Sequence, residues 1–192
     1  MSPIDLANQL RKQFGDLISK PVEFRGEVTL TIEDPDQVSR VCGFAKEQLG
    51  FDYLADLSRV DNFGEDPRWT LVYELYGHGH NCHLRLRTRV GEESSEAPSV
   101  SGVWRTANWH EREVYDMMGI RFRGHPALRR ILMWEGYPYF PLRKDFPLAG
   151  KPSDLPDVAF SQPAPLEGGP FVTTAGGADA AAREPRSRTD NA

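Results

Sequence analysis

The sequence predicts an α+β fold: one compact domain with a small sheet of about four to five strands packed by a few helices, then an extended Pro/Gly-rich C-terminal arm. Three observations predict it. Helical and alternating apolar patterns are interleaved through the first 123 residues. From Gly124 the texture turns basic, aromatic and proline-rich, and from Lys151 prolines and the pairs Gly168-Gly169 and Gly176-Gly177 dominate. The expected divisions are a domain over 1–123, a docking arm over 124–150, and an extended or disordered tail over 151–192 that orders only when docked.

Ser2-Pro3 reads as an N-cap followed by proline at the first helical position, and Ile4, Ala7, Leu10 and Phe14 recur at helical spacing up to Gly15. Over 27–32 the pattern alternates, with Val28, Leu30 and Ile32 on one face and Glu27, Thr29 and Thr31 on the other. Asp34-Pro35 restarts a helix whose stripe is Val38, Val41, Cys42, Ala45 and Leu49, ending at Gly50. Strands are expected over 51–60, 69–76 and 82–90, the last two as a hairpin. In the second hairpin strand Cys82, Leu84, Leu86 and Val90 share one face, which puts His83, Arg85, Arg87 and Arg89 on the other. The run from Gly91 to Glu96 reads as a loop, Val100 and Val103 as a further short strand, and Ala107 to Met118 as a helix closed by Gly119.

Composition narrows the function classes. With 23 Lys and Arg against 28 Asp and Glu, the net charge of −5 argues against a general nucleic-acid binder. No apolar run approaches the roughly 20 residues needed to span a bilayer, and the N-terminus carries no secretory pattern, so a cytosolic chain is expected. Cys42 and Cys82 are too few for a cluster or zinc site built on four thiolates. They read as reduced core residues in a cytosolic chain, with a disulfide open as the alternative.

Three constellations could carry chemistry. His78, His80 and His83 have metal-ligand residue types, but the intervening Gly79 and Asn81 favour a polar hairpin tip, and strand alternation points Cys82 and His83 to opposite faces. In the helix after Trp104, Arg112 and Asp116 are four apart and can pair, while Glu113 and Asp116 lie three apart on the side carrying Trp109. Paired carboxylates suit acid/base work only beside a cleft, so the expectation there is a surface or interface helix. Beyond it, Arg121, Arg123, Arg129, Arg130, Arg143 and Lys144 interleave with Phe122, Trp134, Tyr137, Tyr139, Phe140 and Phe146. Arginine and aromatics on a proline-fixed backbone suit a protein interface, given the global acidity. No glycine loop of phosphate-binding type precedes a helix.

Ala107-Asn108-Trp109, Glu111-Arg112-Glu113, Tyr115-Asp116-Met117-Met118-Gly119-Ile120, Gly124-His125-Pro126 and Leu128-Arg129-Arg130-Ile131-Leu132 together resemble one family, the C subunit (the 30 kDa subunit) of the proton-pumping NADH:quinone oxidoreductase, respiratory complex I. Trp134-Glu135-Gly136 and Pro141-Leu142-Arg143-Lys144-Asp145-Phe146-Pro147-Leu148 form a second matching block, separated here by an extension, Tyr137-Pro138-Tyr139-Phe140. Phe51-Asp52-Tyr53-Leu54, Asp56-Leu57 and Asp61 fit the family's first half more loosely. The resemblance implies an unfused peripheral-arm subunit on the cytoplasmic side of the inner membrane, attached to the membrane only through the complex. It implies no flavin or iron-sulfur cluster in this chain, those cofactors belonging to partner subunits, and no catalytic, cofactor-binding or metal residues of its own. The D subunit of the complex is the chief implied partner, with the B and I subunits nearby. The residues expected at the interface are Trp109, Arg112, Glu113, Asp116, His125, Arg129, Arg130, Trp134, Arg143 and Asp145. The alternatives are the equivalent subunit of a related membrane-bound hydrogenase or oxidoreductase complex, and a small metal protein using His78, His80 and His83.

Overall fold

The computed structural model describes residues 2–147. The tail expected over 151–192 lies outside the described residues. The first compact unit runs Met1–Gly136. It opens with α1 (Pro3–Phe14), fixed by a reciprocal cap in which Ser2 Oγ accepts the Asp5 N–H and Asp5 returns an acceptor to the Ser2 N–H.

A five-stranded sheet follows, built from β1 (Val22–Phe24), β2 (Glu27–Ile32), β3 (Tyr53–Asp61), β4 (Trp69–Gly77) and β5 (Cys82–Val90) in the order β1-β2-β5-β4-β3. Within this sheet the β2–β5 pairing alone is parallel, because α2 (Val38–Leu49), β3 and β4 all intervene between those strands. A 3₁₀ turn, Pro35–Gln37, precedes α2, so the helix begins slightly later than Asp34-Pro35 suggests. Gly50 and Gly119 stop α2 and α3 (Ala107–Met118) with φ of 73° and 79°, a left-handed conformation that favours glycine.

Register builds the core. Leu57, Tyr73, Leu86 and Leu30 lie in one row across four strands, at most 2% exposed, on the face that α1 and α2 cover. Cys42 and Cys82 are buried free thiols in that core. The opposite face carries His83, Arg87 and Arg89 exposed, as the alternation of β5 requires. Its charges are largely matched: Arg85 pairs with Glu74 and Glu27, and Arg89 with Glu65.

Two local expectations fail. Val100 and Val103 do not form a strand; they lie in a turn. The nearby strand is instead β6 (Glu96–Pro98), which takes Glu96 from the expected loop and pairs in parallel with β7 (Arg121–Arg123). The turn wins because Val100 N–H is claimed by a side chain of α3, described below, and is unavailable to a ladder. The second unit runs Tyr137–Ala192. Within its described part, Tyr137 meets Tyr139 edge-on at 5.7 Å and Arg143 stacks over Phe140 at 4.5 Å.

Candidate functional site

The side chains of α3 and the segment after β7 form one knot. Asp116 is fully buried and receives four donors. Its Oδ2 accepts the consecutive N–H groups of Ile131, Leu132 and Met133 at 3.0, 2.7 and 2.8 Å, and its Oδ1 accepts Arg130 Nη1 at 2.5 Å. Burial pushes this carboxyl up, but the donors outweigh burial and leave it below the usual carboxylate range. Arg130 Nη1 also donates to the Asp116 carbonyl at 3.0 Å. One turn earlier, Arg112 spreads its guanidinium over the carbonyls of Arg129 and Arg130, at 3.1 Å each. A proline-containing segment with no ladder or helix of its own thus has its backbone groups satisfied by α3.

The expected Arg112–Asp116 pair does not form. Helical spacing allows it, but burial of Asp116 makes three backbone donors and Arg130 the better partners. Nor do Glu113 and Asp116 share a side with Trp109: Asp116 is buried, Trp109 is 60% exposed, and Glu113 pairs with Arg59 of β3 at 2.9 Å. Arg112 lies over the Trp109 ring at 5.0 Å. The His125 ring is buried; its Nε2–H donates to the Asn108 carbonyl at 3.1 Å and its Nδ1 accepts the Ala127 N–H at 3.0 Å. Those two bonds specify the neutral ring, and burial lowers its tendency to protonate. Leu132 is 64% and Trp134 36% exposed. Arg143 and Asp145 belong to the second unit.

Sequence reasoning missed Glu111. It falls on the apolar stripe of α3 with Ala107, Val114 and Met118, which was the available signal. Glu111 is fully buried, accepting Ser99 Oγ and Val100 N–H at 2.6 Å each, with His125 Nε2 at 3.9 Å. Burial pushes its carboxyl up to about 7. The same burial raises the Cys42 thiol and the Tyr73 phenol, each further raised by the Glu111 charge. Enclosed on every side, Glu111 serves architecture: it ties α3 to the turn after β6.

The three histidines make different polar and packing contacts. His78 Nδ1 bonds Asp52 Oδ1 at 2.8 Å, the His80 ring lies beside Gly50, and His83 stacks on Tyr76 at 4.7 Å. Among the described residues no group of three or more His, Cys, Asp or Glu side chains is placed to hold a metal ion. No described helix is long and apolar enough to cross a membrane.

Residues 31–152 match the family model described as respiratory-chain NADH dehydrogenase, 30 Kd subunit. The chain is 50% identical over 135 residues to the C 2 subunit of NADH-quinone oxidoreductase from Rhizobium meliloti (strain 1021), covering 69% of this chain and 74% of that one. It is 46% identical over 142 residues to the C subunit of the same enzyme from Geotalea uraniireducens (strain Rf4), covering 74% and 86%. Among solved structures it is similar to the trypsin-resistant fragment (1-134) of Nqo5, with a TM-score of 0.57 and 28% identity over 66% of this chain and 99% of that one. The matched span contains α3, the knot and both sequence blocks, and on these grounds the chain belongs to the 30 kDa subunit family of the respiratory-chain NADH dehydrogenase, the family of NADH-quinone oxidoreductase C subunits.

Proposed function

We propose that this chain is a cofactor-free docking subunit of an NADH:quinone oxidoreductase that couples electron transfer to proton translocation. One observation carries the reading: α3 pins the segment after β7 through Asp116 and Arg112, yet leaves Trp109, against the Arg112 guanidinium, and Leu132 and Trp134 exposed. Exposed tryptophan and arginine on a backbone that is already ordered suit an interface, since little entropy is lost on binding. Of the ten expected interface residues, Trp109, Arg112, Arg129 and Trp134 make the surface. Glu113, Asp116, His125 and Arg130 hold it in shape, and Arg143 and Asp145 give the second unit its own contacts to the complex. The D subunit is the chief partner, with the B and I subunits nearby. The flavin and clusters reside in partner subunits, and the chain is held at the cytoplasmic side of the inner membrane through them.

The test is a pull-down of the tagged full chain from its own host, with identification of co-purifying proteins and an assay of NADH:quinone electron transfer. Recovery of cluster-bearing and membrane subunits with that activity is expected, together with depletion of both by Trp109→Ala/Leu132→Ser in a variant that stays folded. Recovery with hydrogenase or another donor activity would place the chain in a related complex. A chain recovered alone and monomeric refutes the docking reading.

A further inference from the structure

A different surface lies on the sheet face opposite the one that α1 covers. Register sets Tyr53, Tyr76 and His83 in one row across β3, β4 and β5, and His78 of the following turn closes on them. Ring centroids are 5.9 Å apart for Tyr53 and His78, 5.0 Å for Tyr76 and His78, and 4.7 Å for Tyr76 and His83. Four rings therefore form one continuous strip. Tyr53 is 43% exposed and the His78 side chain 64%, so the strip reaches solvent.

Two carboxylates stand at its β3 end, Asp52 and Asp56, with side chains 55% and 51% exposed. Asp52 Oδ1 accepts the backbone N–H of His78 at 3.1 Å and lies 2.8 Å from its ring Nδ1. The Tyr76 hydroxyl spends its proton on Asn81 Oδ1 at 2.6 Å. In the adjoining row the guanidinium of Arg85 is held between Glu74 and Glu27, and His110 Nδ1 stands 3.6 Å from Asp56. The strip offers tyrosine ring faces and carboxylates, which are electron-rich surfaces and acceptors.

We propose that this strip is a docking surface for arginine or lysine side chains carried on an extended segment of a partner protein. A cation over the tyrosine faces is attracted by the ring quadrupole, and Asp52 and Asp56 supply the counter-charge at the same end. Charge complementarity decides the occupant: exposed carboxylates beside electron-rich rings repel an acidic segment or a phosphate backbone. A cationic side chain also satisfies the acceptors that an apolar partner would strand. The four rings lie on β3, β4, β5 and the turn between β4 and β5, so the strip stands independently of the docking role assigned to α3.

The experiment is an NMR titration of the full chain, labelled at histidine, with the peptide Ac-(Arg-Ala)3-NH2, using Ac-(Glu-Ala)3-NH2 as control. The His78 and His83 ring resonances are expected to shift with the arginine peptide and stay still with the glutamate peptide. Tyr53→Ala and Asp52→Asn should each weaken binding about two- to fivefold while leaving the fold's other resonances in place. Equal response to both peptides, no response to either, or wild-type affinity in both variants overturns the proposal. Shifts that depend on chain concentration alone also overturn it, since the strip would then be a contact between copies.

Discussion

Replacing Glu111 by glutamine isolates the cost of a buried carboxylate. In the fold this group ionises at about 7, while an exposed glutamate does so at about 4.5. Between those values the folded chain holds a proton that the unfolded chain has released. Stability is therefore fully present below about 4.5 and is lost as pH rises through about 7. At ~1.4 kcal/mol for each tenfold, the interval amounts to about 3 kcal/mol, an order-of-magnitude figure. Glutamine keeps an acceptor for Val100 N–H or Ser99 Oγ, and its amide can donate to the Ser99 hydroxyl, so the contacts of the site survive. The charged or titratable neighbours are His125 at 3.9 Å together with Cys42 and Tyr73. His125 acts in the opposite sense, since burial keeps its ring neutral and stability falls as pH drops and it must protonate. That contribution is common to both proteins and largely cancels in their difference. Urea unfolding followed by the fluorescence of the buried Trp69 and Trp104 at pH 5, 6, 7 and 8 gives the two curves. Glu111→Gln is expected to gain about 2.5 kcal/mol on the parent between pH 5 and pH 8. Parallel curves across the range would refute the assignment of a buried, proton-holding carboxyl.

Three further outcomes are expected. Asp116→Ala removes the acceptor of three backbone donors and the carboxylate that Arg130 faces, costing about 3–5 kcal/mol, with fast hydrogen exchange confined first to Ile131, Leu132 and Met133. Arg112→Lys keeps the charge but cannot fork across the two carbonyls, so limited trypsin digestion should cut after Arg129 and Arg130 sooner than in the parent, with the melting temperature nearly unchanged. Arg68→Ala leaves Asp61 buried without the guanidinium that grips it at 2.8 and 2.9 Å, and should cost about 3–5 kcal/mol in urea unfolding.

The sequence by itself determined the elements whose signals are local. Ser2-Pro3 and Gly15 bracket α1, Gly50 and Gly119 stop the next two helices, and alternation placed Leu84 and Leu86 inward and Arg87 outward on β5. A helix cap or a strand period is decided within a few residues, so it can be read without knowing the fold. The ordered blocks around α3 likewise sufficed to identify the family. Only the tertiary structure decided the partners of the polar groups in that helix. Asp116 abandons Arg112, four residues away, for donors at 130–133, and Glu111 reaches back to Ser99 and Val100. The three-residue strands β1, β6 and β7 are too short to show a period, and the turn at Val100 is imposed by a carboxylate eleven residues later. Once burial removes water, a charged group takes whichever donors packing delivers, and chain spacing no longer chooses for it.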